Sequence, residues 1–223
     1  MFDRFKKLIS DEEFEKIKNT NVLVVGIGGV GGYAVESLIR SGIEHITLVD
    51  FDKIDVTNIN RQIIALKNNI GEYKTDVFID RIRNINDKVK ILVVKEFITE
   101  GNVDILNINN YDYVVDACDT IKTKISIIET CLKKKVKFIS CMGTGNKFDP
   151  SLLSISDIRK TSYDPIAKII RSWVTKNKIT DKIMVVSSVE KPLKTDGIGS
   201  TSFVPPTAGL LITSHIIKDI LKR

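Results

Sequence analysis

Gly26, Gly28 and Gly31, with Gly29 among them, form a Gly-x-Gly-x-x-Gly run directly after the apolar segment Asn21–Val25. Backbone N–H groups left bare by glycine at the start of a helix are suited to holding phosphate. Asp50 follows 19 residues after Gly31 at the end of a second apolar run, the place from which a carboxylate accepts hydrogen bonds from ribose hydroxyls. A nicotinamide-dependent oxidoreductase would show the same features, so this much says nucleotide binding and no more. The next residues separate the classes: Asp52, then Asn58, Arg61 and Gln62, then Lys74. A triphosphate with about four negative charges needs cations around it, and a dinucleotide does not. Asp119 follows the valine-rich run that ends in Asp116-Ala117-Cys118, at a sheet edge where a carboxylate can hold Mg2+. The set points to a polyphosphate with a metal ion.

These residues need elements to position them. Ser10 and Glu13 read as a capping box opening a short helix to about Lys18. After it, strands are predicted at Asn21–Val25, His45–Val49, Lys90–Val94, Tyr113–Ala117 and Lys137–Cys141, and helices at Tyr33–Arg40, about Thr75–Asn84 and Lys122–Lys133. Such alternation implies an α/β fold with a Rossmann-like, doubly wound, mostly parallel sheet and helices on both faces. The last third departs from that rhythm. Asp164-Pro165 opens a helix with Ile166, Ile169, Ile170, Trp173 and Val174 at helical spacing. Met184–Ser188 suits a further strand, Thr195–Ser202 a mobile loop, and Ala208–Leu221 a closing helix that includes Leu210 in its apolar set. One domain is expected over residues 1–223, with a nucleotide-binding core at 1–145 and a substrate-side C-terminal extension at 146–223.

With 223 residues, 43% of them apolar, the chain can build one sizeable core. No apolar run approaches the roughly 20 residues that span a bilayer, so no membrane span and a cytoplasmic location are expected. Cys118, Cys131 and Cys141 form no Cys-x-x-Cys pair, which indicates neither a disulfide framework nor a structural zinc site. The net charge of +6 is compatible with a nucleic-acid partner without requiring one.

In order and spacing, Gly26-x-Gly28-Gly29-x-Gly31, Asp50-x-Asp52, Asn58-x-x-Arg61-Gln62, Gly71-x-x-Lys74 and Asp116-x-x-Asp119 resemble the adenylation domain of the E1-like superfamily. That superfamily holds the ubiquitin-activating enzymes and the bacterial activators of molybdopterin and thiamine sulfur carriers. The resemblance covers about residues 1–145 and implies that Gly28 and Gly29 lie against the nucleotide, Asp50 holds the ribose, Asn58, Arg61 and Lys74 contact phosphates, and Asp119 binds Mg2+. It makes Arg61, Lys74 and Asp119 the catalytic set. Arg4 would correspond to an arginine that reaches the partner's site in dimeric relatives, so a homodimer is implied. Beyond Cys141 there is no cysteine for a thioester. Segments such as Lys147-Phe148-Asp149-Pro150, Asp164-Pro165 and Val186-Ser187-Ser188-Val189-Glu190 resemble the tRNA threonylcarbamoyladenosine dehydratase branch. That branch implies ATP-dependent cyclisation of N6-threonylcarbamoyladenosine at position 37 of tRNA through a carboxyl adenylate. Arg159, Lys160, Lys168, Arg171, Lys176 and Lys178 would then be candidate contacts to tRNA phosphate, and a sulfur-relay protein a possible partner. An activator that adenylates the C-terminal glycine of a small sulfur carrier remains the alternative.

Overall fold

A computed structural model describes residues 1–223. Two helices open the chain, α1 (Asp3–Lys6) and α2 (Asp11–Lys18), the second closed at its start by the reciprocal Ser10–Glu13 capping box. The expected alternation follows: β1 (Asn21–Val25), α3 (Gly31–Arg40), β2 (His45–Val49), α4 (Lys74–Ile85), β3 (Lys90–Val94), β4 (Tyr113–Asp116), α5 (Ile121–Lys134) and β5 (Lys137–Cys141). The C-terminal third adds β6 (Leu153–Asp157), α6 (Pro165–Lys176), β7 (Met184–Ser188) and α7 (Val204–Ile220).

All seven strands form one sheet in the order β3-β2-β1-β4-β5-β7-β6. Every pairing is parallel except that of β6 with β7. Alternate side chains along β1 face opposite layers: Val22 and Val24 pack in a core with α3, α4 and α7, whereas Leu23 and Val25 pack toward α5. A third cluster joins α5 to α6 through Ile128, Ala167, Ile170 and Val174. Burial on both faces explains why the central strands are nearly continuous valine, isoleucine and leucine.

The register sets the site. Val25 pairs with Val49 on one side and with Asp116 on the other. The chain leaves β1, β2 and β4 side by side, with Gly26 N–H donating to Val49 O at 2.8 Å and Ala117 N–H to Val25 O at 2.9 Å.

Several expectations are corrected in the C-terminal third. The closing helix begins at Val204, not Ala208, with Pro205 and Pro206 in its first turn, where no intrahelical donor is needed. Gly209 lets it approach α3, since a Cβ there would stand 2.3 Å from Val30 O. Leu210 and Ile169, both assigned to apolar faces, are 48% and 45% exposed. Ile169 lies about 100° round the axis from the buried Ile170, and Leu210 falls outside the broad buried face of α7. β6 was not anticipated, although Leu153-Ser154-Ile155-Ser156 alternates as a half-buried edge strand should.

Candidate active site

A cavity of about 310 Å³ lies at the carboxyl ends of β1, β2 and β4. Of the residues singled out from sequence, Gly26, Gly28, Gly29, Asp50, Asp52, Asn58, Arg61, Gln62, Lys74 and Asp119 all line it. Gly31 does not line it and serves the turn from beneath: a Cβ there would fall 1.8 Å from Gly26 O. Gly26 has φ +81°, a left-handed backbone that glycine adopts freely. Gly29 lies under the stem of Arg61, with room for a Cβ only at 3.3 Å from the Arg61 and Pro205 side chains.

Asp50 is buried and spends one carboxylate oxygen on each flank, accepting from Ile27 N–H and Asp52 N–H, both at 2.9 Å. Burial pushes its carboxyl above the usual range, more than the Lys74 ammonium and these amides pull it down. Lys74, at the first position of α4, is buried and meets Asp52 at 2.6 Å and Asp50 at 3.9 Å. Arg61 is half-buried and donates to Thr57 O and Asn60 Oδ1 at 2.9 Å. Asn58 is buried and closes its own turn by accepting from Asp55 N–H at 3.1 Å. Gln62 Oε1 is buried in the cavity wall with no protein partner, an acceptor that a ligand can satisfy. Asp119 is exposed at the rim.

Sequence reasoning missed the apolar side of the cavity. Phe51 and Phe97 meet edge to face with centroids 4.9 Å apart, and Ile98 lies beside them on the lining. Phe51 was readable from its place between the two aspartates. Phe97 comes from a distant segment that no local motif marks, and Thr144, Ser200 and Pro205 also reach the lining from far along the chain.

A second chamber of about 780 Å³ adjoins the first and shares Val30, Arg61, Ala117, Cys118, Asp119, Thr144 and Ser200 with it. The rest of its lining comes from Met142 to Asn146, the first turn of α6, Pro192 and Ile198, together with Val56, Thr57, Asn60, Lys124 and Cys141. Under the junction lies a buried network in which Lys124 meets Asp116 at 3.1 Å, while Ser140 Oγ and Cys118 Sγ donate to the two Asp116 oxygens at 2.5 and 3.0 Å. Burial and the adjacent Asp116 raise the Cys118 thiol. Burial likewise pushes the Cys141 thiol up to about 12. Neither sulfur is an activated nucleophile.

The basic residues of the late segment are not equivalent. Arg159 is consumed by Asp157 and by the carbonyls of Ile179 and Asp181, and Arg171 donates to Thr161. Lys160, Lys168, Lys176 and Lys178 extend into solvent. Arg4 lies exposed on α1, outside the lining of either chamber.

A glycine turn, a buried carboxylate and flanking cations at the carboxyl edge of a doubly wound sheet suit a nucleotide-binding α/β protein. The chain belongs to the ThiF family, whose model matches residues 3–221. It is 40% identical to the tRNA threonylcarbamoyladenosine dehydratase of Bacillus subtilis (strain 168), over 99% of this chain and 94% of that protein. It is 32% identical to the protein of the same name from Escherichia coli (strain K12), over 97% of this chain and 92% of the relative. Among solved structures, E. coli tRNA N6-threonylcarbamoyladenosine dehydratase, TcdA, in complex with ATP superposes with a TM-score of 0.93 at 35% identity, covering 99% of this chain and 93% of that one. No helix is long and apolar enough to cross a membrane.

Proposed function

We propose that this chain is a tRNA threonylcarbamoyladenosine dehydratase, an ATP-using, ligase-class enzyme that cyclises N6-threonylcarbamoyladenosine at position 37 of tRNA. The observation that carries this reading is the meeting of the two chambers at Arg61, Cys118 and Asp119 without an activated thiol. Relatives of the same name at 32–40% identity, matched over nearly their whole length, support it.

The nucleotide chamber takes ATP. Gly28 and Gly29 leave room for phosphate against the backbone, Asp50 accepts from the ribose hydroxyls, and Phe51 and Phe97 supply an apolar wall for the base. Arg61 and Lys74 offset charge on the departing pyrophosphate. Asp119 would hold Mg2+; its single carboxylate suits an ion that is also bound by phosphate oxygens, and the metal would supply further charge neutralisation. A carboxylate is a poor electrophile. From the second chamber the threonyl carboxylate oxygen attacks the α-phosphorus, forming a carboxyl adenylate and releasing pyrophosphate. The neighbouring carbamoyl group then attacks the acyl carbon within the same molecule and expels AMP. Ring closure inside one bound substrate has a high effective molarity, so no enzyme thioester is required.

Lys160, Lys168, Lys176 and Lys178 are the proposed contacts to tRNA phosphate, Arg159 and Arg171 being engaged within the fold. In a cytoplasmic homodimer, Arg4 would serve the partner's site. The test is mass spectrometry of nucleosides from threonylcarbamoylated tRNA incubated with protein, ATP and Mg2+. A product lighter by one water, formed only with ATP, is expected. Pyrophosphate exchange stimulated by a small carrier protein and not by modified tRNA would overturn the reading.

A further inference from the structure

The lining of the second chamber includes the loop through Gly143, of which only Thr144 also lines the nucleotide cavity, and the first turn of α6 with Pro165 and Ile166. One ion pair joins them from behind. Lys147 Nζ lies 3.2 Å from Asp164 Oδ2, and the two side chains are 1% and 0% exposed. The same ammonium donates to Gly143 O at 2.9 Å. The other oxygen, Asp164 Oδ1, accepts from Ala167 N–H at 2.8 Å and caps α6. A Cβ on Gly143 would stand 3.0 Å from Asp164 Oδ2, so the loop backbone rests directly on the pair. Lys147 and Asp164 therefore hold one wall by its carbonyl and the other by its helix end, although neither lines the chamber.

Stability alone gives this arrangement little reason, because a buried ion pair can commonly be replaced by neutral groups of like volume without loss. What a neutral pair does not reproduce is a directed donor to Gly143 O together with a charged cap on α6. We propose that Lys147 and Asp164 are positioning residues for the acceptor, setting the distance between the walls and so the approach of the acceptor carboxylate to Arg61 and Asp119. This rests on the reading of the second chamber as the acceptor's.

The test uses the full-length protein and three variants: Lys147→Met, Asp164→Asn, and the two combined. Asparagine still caps a helix, and the combined variant buries no unpaired charge. Melting curves, ATP affinity by calorimetry, and KM and kcat for modified tRNA are measured for each. The expected result for the combined variant is a near wild-type melting temperature, unchanged ATP affinity and a KM for modified tRNA raised roughly 10- to 100-fold. Recovery of KM together with melting temperature would make the pair merely structural and overturn the assignment, as would parallel losses for ATP and tRNA. Wild-type protein that binds ATP yet leaves modified tRNA unchanged is a separate failure, visible before any variant is made; it overturns the functional reading and this assignment with it.

Discussion

The nucleotide chamber and the acceptor chamber meet at Arg61 and Asp119 but are built by different means. The first is framed by backbone: β1, β2 and β4 end in register, and the Gly26 and Gly31 turn packs main chain against main chain. The second leans more on side chains: Lys147 holds the loop after β5, and both ends of the Asn146 amide hold the segment around Gly197 and Gly199, beside the backbone bond from Asn146 N–H to Gly199 O at 2.9 Å. Where main chain packs on main chain, at Gly26 and Gly31, there is no room for an added atom, whereas side-chain contacts can give way. ATP binding is therefore expected to be rigid and acceptor binding adjustable.

The residues common to both chambers give the largest expected effect. Asp119→Ala should lower turnover by about 10³ or more while leaving the melting temperature unchanged, because the side chain is exposed and forms only a 3.4 Å contact with Thr120. Near wild-type turnover in this variant would remove Asp119 from the chemistry.

Next comes the backbone frame itself. Gly31→Ala places a Cβ 1.8 Å from Gly26 O, and a stability loss of about 3 kcal/mol or more is expected, with loss of ATP binding. Thermal melting and calorimetry check it, and a variant that binds ATP normally would break the contrast between the chambers.

A smaller effect concerns pH. In its proposed role Asp50 accepts ribose hydroxyls more strongly when ionised, and burial raises its pKa above the usual carboxylate range. ATP affinity should fall, as the pH is lowered, at a higher pH than an ordinary aspartate would give, and Asp50→Asn should flatten that part of the profile. For stability the sign is opposite. The folded-state pKa exceeds the unfolded one, so this group's contribution is full below the unfolded pKa and is lost as pH rises through the folded value.

The smallest effect is expected at Gly145. A Cβ there would meet Ile198 Cγ2 at 2.7 Å, but Ile198 is 89% exposed and free to turn aside. Gly145→Ala should change stability by no more than about 0.5 kcal/mol, with a measurable shift confined to KM for tRNA.

The same division decides what was legible in the sequence. β1, β2, β3, β5 and β7 fall where apolar runs put them, the interior strands because burial on both faces leaves a local signal and the edge strand β3 by its run of β-branched and leucine residues. Ten of the eleven nucleotide-site residues come together in one cavity, since their motifs lie at the ends of those strands. The acceptor chamber was not legible. Lys147 and Asp164 drew attention as parts of a resemblance and as a helix cap, but their pairing across 17 residues depends on how β6 and α6 fold back. Phe97 and Pro205 likewise reach the site through tertiary packing alone.

Adenylation of the threonyl carboxylate is proposed where the two chambers meet. It is tested most directly by labelling that carboxylate with heavy oxygen in tRNA, running one turnover with ATP, and weighing the released nucleotides. One labelled oxygen is expected in AMP, carried off with the phosphorus when the ring closes. Label found in inorganic phosphate or ADP, with AMP unlabelled, would contradict it.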